Sequence, residues 1–245
     1  MKIVIISLLG LFSAGTFAQD FSEDFLTPAY YSGTLKPQID RFLEHARTVR
    51  FQHPLDIGNG KTPQYTTPKM GQFGAEKGRG RPVQYHPATD LHVGNRETEV
   101  SLYAAHNGVI TTVRDAPKYR QYISITKEIR DAEGNILGKL VTLYGHVDLD
   151  LNEADGLQLN GKTVQQGDLI SKHLYAGTVG GPHLHFEIRY YRPNDVGTEE
   201  FYGMAFPGRP TRFTEPSAGG WKYGLWDPDS GYGYGNPVHH GLKFY

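Results

Sequence analysis

Five side chains able to hold a metal or move a proton are scattered over about a hundred residues of this 245-residue chain. They are His86 and Asp90 in YHPATD, His146 in LYGH, and His183 and His185 in GGPHLHFEIRY. The last segment reads as a strand. Its alternation puts His183, His185, Glu187 and Arg189 on one face and Leu184, Phe186, Ile188 and Tyr190 on the other. Two imidazoles two residues apart then project side by side, about 6–7 Å apart at the backbone. One can bind a metal while the other reaches whatever the metal holds. His86 and Asp90 are harder to join. Pro87 excludes a helical turn at His86, and a straight strand sets Cα atoms four residues apart at roughly 13 Å. Both can reach one zinc, with bonds of about 2 Å, only if the backbone bends at Ala88-Thr89. Taken singly, each motif has a plain reading: a polar sheet surface for HLH, a surface histidine beside a turn aspartate for His86 and Asp90. Their joint occurrence points to metal chemistry. The chain has no cysteine, so a zinc site must be built from imidazole and carboxylate.

Regular strands are expected to position these groups. From Glu99 onward, β-rich runs come at short intervals: Val100–Ala105, Gly108–Arg114, Gln121–Glu128, Ile136–His146, Gly161–Ile170 and His183–Tyr190. The run Asp131–Asn135 reads as a hairpin turn. No ten-residue amphipathic helix separates them, so antiparallel pairing is expected. With 30 Gly and 16 Tyr, the composition fits a mainly β, turn-rich body. Upstream, Pro37–Arg50 has apolar residues at helical spacing, with acids early and arginines late. Residues 53–85 show no period and read as long loops ending in a short strand, a length often functional and here a candidate cover for the metal. The Gly/Tyr-rich tail 193–245 is too aromatic for a free disordered end and is expected to pack on the domain.

Residues 1–18 read as a secretory signal peptide: Lys2, an apolar run from Ile3 to Phe12, and small residues up to Ala18. The apolar run is too short for a comfortable membrane span, so a periplasmic or secreted protein is expected. A formal net charge of −1 argues against nucleic acid as partner.

On these motifs the chain resembles the LytM/lysostaphin-like zinc endopeptidases, which cut peptidoglycan cross-links. Tyr103-Ala-Ala-His-Asn-Gly108-Val109, Tyr144-Gly145-His146, the spacing of Val164, Gly167 and Ile170, and Gly181 to Glu187 follow the family pattern in order. The resemblance runs from about Tyr85 to Arg192. It implies a twisted antiparallel sheet, Zn²⁺ held by His86, Asp90 and His185, and His146 and His183 as catalytic histidines, either of them the general base. It also implies peptidoglycan peptides as substrate. Residues 19–84 become an N-terminal extension, 85–192 the metallopeptidase domain and 193–245 an aromatic extension. Three departures stand out: Ala88 replaces the family glycine between His86 and Asp90, the loop Gly177–Pro182 is short, and Arg130–Gly138 is lengthened.

Two readings of other classes remain. One is a non-catalytic activator of cell-wall amidases, which filled ligand positions disfavour. The other is a wall-binding module working through the aromatic tail. Among the other histidines, His45 reads as solvated or half-buried. His92 reads as a partner supporting the metal ligands or, the favoured reading, as a surface group; His106 and His173 are expected exposed, and His239-His240 at most an adventitious metal site, since adjacent side chains diverge. Glu187 reads as a carboxylate supporting the metal ligands or as an exposed strand residue.

Overall fold

The computed structural model describes residues 36–191 except 74, 78–83, 87 and 117–118, together with 193 and 235–244. The expected signal peptide and most of the aromatic tail lie outside the described residues.

Eleven strands follow one another in the described chain: β1 (Tyr65–Thr66), β2 (Glu76–Lys77), β3 (Gln84–Tyr85), β4 (Thr89–Val93), β5 (Glu99–Tyr103), β6 (Gly108–Ala116), β7 (Arg120–Arg130), β8 (Ile136–Gly145), β9 (Thr163–Val164), β10 (Leu169–His173) and β11 (Leu184–Tyr191). Helix α1 (Lys36–Ala46) precedes them, and α2 (Leu149–Ala154) lies between β8 and β9. Seven strands form one sheet in the order β1-β4-β11-β8-β7-β6-β9, while β10 pairs with β5 and β2 with β3. Every pairing is antiparallel. The expected mainly β, antiparallel architecture is therefore what the chain adopts.

The last strand is the centre of the arrangement. β11 lies between β4 and β8, and its residues are buried on both faces. Leu184, Phe186, Ile188 and Tyr190 enter the main apolar core with Leu91, Ile123, Ile125 and Leu140. Helix α1 closes this core through Phe42, Leu43 and Ala46, and the Phe42 ring meets Tyr190 edge-on at 5.6 Å. The end of the chain packs on the same side. Leu242 is buried in the core, and His240 is held between Tyr190 Oη (3.0 Å) and the Val49 carbonyl (2.9 Å). Among the described residues, no helix is long and apolar enough to cross a membrane.

Several expectations need correction. Helix α1 stops at Ala46 rather than Arg50, because the Thr48 hydroxyl donates to the His45 carbonyl and Phe51 N–H turns to His240. Helix α2 has six residues, too few for a periodic signal, and starts where the Asp148 carboxylate accepts from Leu151 N–H. The run Gly161–Ile170 is two strands split by a turn in which Asp168 caps Gln165 N–H. His173 lies in β10, half-buried and bonded to Asp155, rather than in an exposed loop.

His106 is the largest departure. It was expected at an exposed turn, yet it is 1% exposed, with Nδ1 donating to the Asn107 carbonyl (2.9 Å) and Nε2 against Thr142 Oγ1 (3.1 Å). Burial lowers its pKa to about 4. The unfolded chain takes up a proton near pH 6.5 that the folded chain refuses until about pH 4. The stability this neutral ring allows is thus present above pH 6.5 and lost as pH falls toward 4. The unfolding free energy from urea titration should fall across that window, by up to about 1.4 kcal/mol per pH unit for this group. His106→Gln should flatten the slope; an unchanged slope would remove His106 from the account.

Candidate active site

Strand register builds the cluster. In the antiparallel ladders His185 on β11 faces Asp90 on β4 and Gly145 on β8. Directly opposed residues have Cβ atoms about 5 Å apart, so register alone makes Asp90 and His185 neighbours. His86 reaches them because the chain bends as expected. β3 ends at Tyr85, β4 begins at Thr89, and the two strands belong to different sheets. Ala88 sits inside the bend, fully buried.

The result is a three-atom convergence. Asp90 Oδ1 lies 3.2 Å from His86 Nε2 and 2.9 Å from His185 Nδ1. Ligands of a tetrahedral zinc with bonds of about 2 Å stand about 3.3 Å apart. The outer ring nitrogens are committed elsewhere: His86 Nδ1 donates to the Gln72 carbonyl (3.3 Å) and His185 Nε2 to Glu187 Oε1 (2.8 Å). A neutral ring whose hydrogen is so engaged turns a lone pair inward. Two lone pairs and a carboxylate oxygen then share one spot, which is repulsive unless a cation sits among them. The residues therefore fit a divalent metal. Without one, a proton must fill that role. Burial works against charge on His185, but hydrogen bonds to Asp90 and Glu187 override it and raise its pKa. Burial likewise opposes charge on Asp90, while His185 and His86 hold its carboxyl well below the usual range. Metal binding should accordingly displace a proton.

The two remaining histidines face the same spot. His146, His183 and His185 form a second potential ligand group sharing His185, but one without a carboxylate. The ring centroids of His146 and His183 are 4.7 Å apart, and His183 Nε2 is 3.7 Å from Asp90 Oδ1. Each hands its Nδ1 hydrogen to a backbone carbonyl, His146 to Tyr119 (3.2 Å) and His183 to Gly181 (2.8 Å). Burial lowers the pKa of His146 to about 3, with His185 and His183 adding to the effect, and that of His183 to about 4. Both are neutral near pH 7, each with Nε2 available as a proton acceptor. His146 also sits in the left-handed region at φ 63°. Strained conformations of this kind persist where the surroundings over-determine them, as at functional sites.

All five anticipated residues thus come together. The partners that hold them were less visible. Tyr119 precedes a strand in an irregular segment and carries no motif. It supplies its carbonyl to His146 and its hydroxyl to Glu187 Oε1 at 2.6 Å. Gly145 leaves room for His185, since a Cβ there would stand 3.3 Å from both that ring and Tyr119. Gly71 presses on Asp90, where a Cβ would meet the aspartate Cβ at 2.9 Å. The loop 53–85 therefore buttresses the outer sides of His86 and Asp90. His92, expected at the surface, is half-buried and stacks on His183 at 4.9 Å.

Glu187 is no exposed strand residue: it is 1% exposed. Its second oxygen accepts from Arg189 Nε at 2.6 Å, and Arg189 reaches Tyr191 Oη (3.1 Å) and Tyr119 Oη (3.4 Å). Burial disfavours this carboxylate, but Arg189, then His185 and Tyr119, bring its pKa down to about 2. It stays ionised and fixes the His185 tautomer. Glu187→Gln should weaken zinc affinity by about 10–100-fold in a chelator competition; an unchanged affinity would mean that the carboxylate serves packing alone.

Residues 84–197 match the family model of peptidase family M23. No curated protein matches the chain. Among solved structures, a mutant catalytic domain of the prophage-encoded M23 protein EnpA from Enterococcus faecalis aligns at 17% identity and a TM-score of 0.32, covering 55% of this chain and 96% of that one. All five converging residues lie within the matched segment, and the match supports a likeness to the LytM-like metallopeptidases.

Proposed function

We propose that this protein is a zinc endopeptidase that hydrolyses amide bonds in peptidoglycan cross-links. The observation that carries the reading is Asp90 Oδ1 set between His86 Nε2 and His185 Nδ1, with the outer nitrogen of each ring already engaged. His86, Asp90 and His185 would hold the metal and leave a fourth position open, the pattern of catalytic rather than structural zinc. Bound zinc would supply Lewis acidity toward a water and the scissile carbonyl.

His146 and His183 are assigned the proton work. A neutral imidazole with an unengaged Nε2 can take a proton from the attacking water and return it to the departing amine nitrogen. The protonated ring donates a hydrogen bond to the oxyanion during the step between. Both rings engage Nδ1 with a backbone carbonyl, so either can serve as base. Residues 1–18 are proposed to export the chain to the periplasm or beyond, where peptidoglycan lies. The catalytic domain is placed at residues 85–192, with the flanking segments as extensions. The activator reading is weaker, because every ligand position is filled. Nothing favours the wall-binding reading.

His86→Ala and His185→Ala should each lose zinc and activity together, measured by atomic absorption and peptide release. Full zinc stoichiometry in either would overturn the ligand assignment. His146→Ala and His183→Ala should retain zinc and lose about 10²–10⁴ in rate, the usual size of a general acid–base contribution. Near-normal turnover in both would make them bystanders. A chelator should abolish activity and added zinc restore it. Digestion of purified sacculi followed by mass analysis of the fragments names the bond; intact sacculi after prolonged incubation would refute the peptidase reading.

A further inference from the structure

The histidine cluster has two flanks, and an arginine stands on each. On the first, His92 continues the stack from His183, and beyond it opens a cavity of about 290 Å³ lined by Thr66, Pro68, His92, Gly94, Asn95 and Arg96. No carboxylate lines it; Glu97 folds against Gly94 at its edge. Arg96 donates to the Gly180 carbonyl and lies over Gly181, whose own carbonyl accepts from His183. On the second flank, Arg120 follows Tyr119, whose carbonyl accepts from His146. Its guanidinium lies 5.6 Å from the ring centre of Tyr175, whose N–H donates to the His146 carbonyl at 2.7 Å.

Two features set these arginines apart. Arg96 and Arg120 hold left-handed backbone, φ 65° and 64°, and with His146 they make three of the four non-glycine residues so placed among the described residues. Such strained backbone tends to gather at ligand-binding positions. Arg41, Arg114, Arg130 and Arg189 all pair with carboxylates. Among the described residues, neither Arg96 nor Arg120 has an acidic partner within ion-pair distance, and both are exposed. A guanidinium presented beside a catalytic cluster without an internal partner suits a ligand carboxylate.

We infer that Arg96 and Arg120 are specificity determinants that receive free carboxylates on the two sides of the scissile amide. The substrate class is then an anionic cross-link, in which the residues flanking the amide carry carboxylates, rather than an uncharged glycyl bridge. This rests on the peptidase reading for its substrate but not for its test. The guanidinium of Arg96 also braces the turn that holds His183, so the measurement must separate charge recognition from bracing.

The probe is an uncleavable cross-linked peptide dimer, N-methylated at the scissile amide, in two forms: with free carboxylates flanking that amide and with both carboxylates amidated. Calorimetric titration of the zinc-loaded, full-length protein should show the acid binding about tenfold more tightly than the amide, a preference that shrinks in 0.5 M salt. Arg96→Gln keeps an amide hydrogen for Gly180. It and Arg120→Gln should each reduce the preference about threefold, and the double variant should abolish it, with zinc content and amide-form affinity unchanged. Equal affinity of the natural protein for both forms, or a double variant that keeps the preference, overturns the inference. So does a glycyl-bridged probe bound as tightly as the acid. Preference for the acid by a protein that cleaves no natural cross-link supports the subsites while removing the peptidase reading.

Discussion

The site depends on one cross-strand register. β11 pairs with β4 so that His185 opposes Asp90, and with β8 so that the same histidine opposes Gly145. A slip of one residue would turn His185 into the apolar core and bring Phe186 or Leu184 to the cluster. What holds the register is the burial of both faces of β11. Its apolar face is locked by the main core, and its polar face is filled by Glu187 and Arg189, each almost wholly hidden from water. Core packing and the geometry of the histidine–aspartate cluster are therefore two consequences of one alignment.

Behind the converging atoms lies a layer that fixes ring orientation. Each of the four histidines at the cluster has one nitrogen bound to an outside acceptor: Gln72, Tyr119 and Gly181 carbonyls and the Glu187 carboxylate. These acceptors come from distant parts of the chain, which explains why a loop as early as residue 72 must pack against β4. A carboxylate as deeply buried as Glu187 is tolerable only because Arg189 neutralises it and Tyr119 satisfies it. The pair lends its full hydrogen-bonding strength to His185 without leaving an uncompensated charge in the interior.

How much of this could be read in the sequence follows from the range of each signal. Alternation in HLHFEIRY is local, and it correctly separated the core face from the chemical face. The bend between His86 and Asp90 followed from Pro87 and bond lengths alone. The antiparallel body was visible because strands follow one another without helical crossovers. Long-range contacts left no such trace. Nothing near Tyr119 announces that its carbonyl and hydroxyl serve His146 and Glu187, two different neighbours in the cluster. His106 and His92 looked like surface groups because a lone histidine carries no period, and only the packing of Phe51 and His183 against them reveals otherwise. Helix α2 was too short to register, and helix α1 was overrun because a side-chain hydrogen bond from Thr48, not a glycine or proline, marks its end.

His146 directly follows β8 in a backbone conformation that disfavours any side chain bearing a Cβ. Glycine would relax that position and remove the imidazole with it. If His146 has the proton role proposed for it, pressure for a sturdier fold and pressure to retain turnover oppose each other at this single residue, and variants selected only for heat resistance should drift away from histidine there.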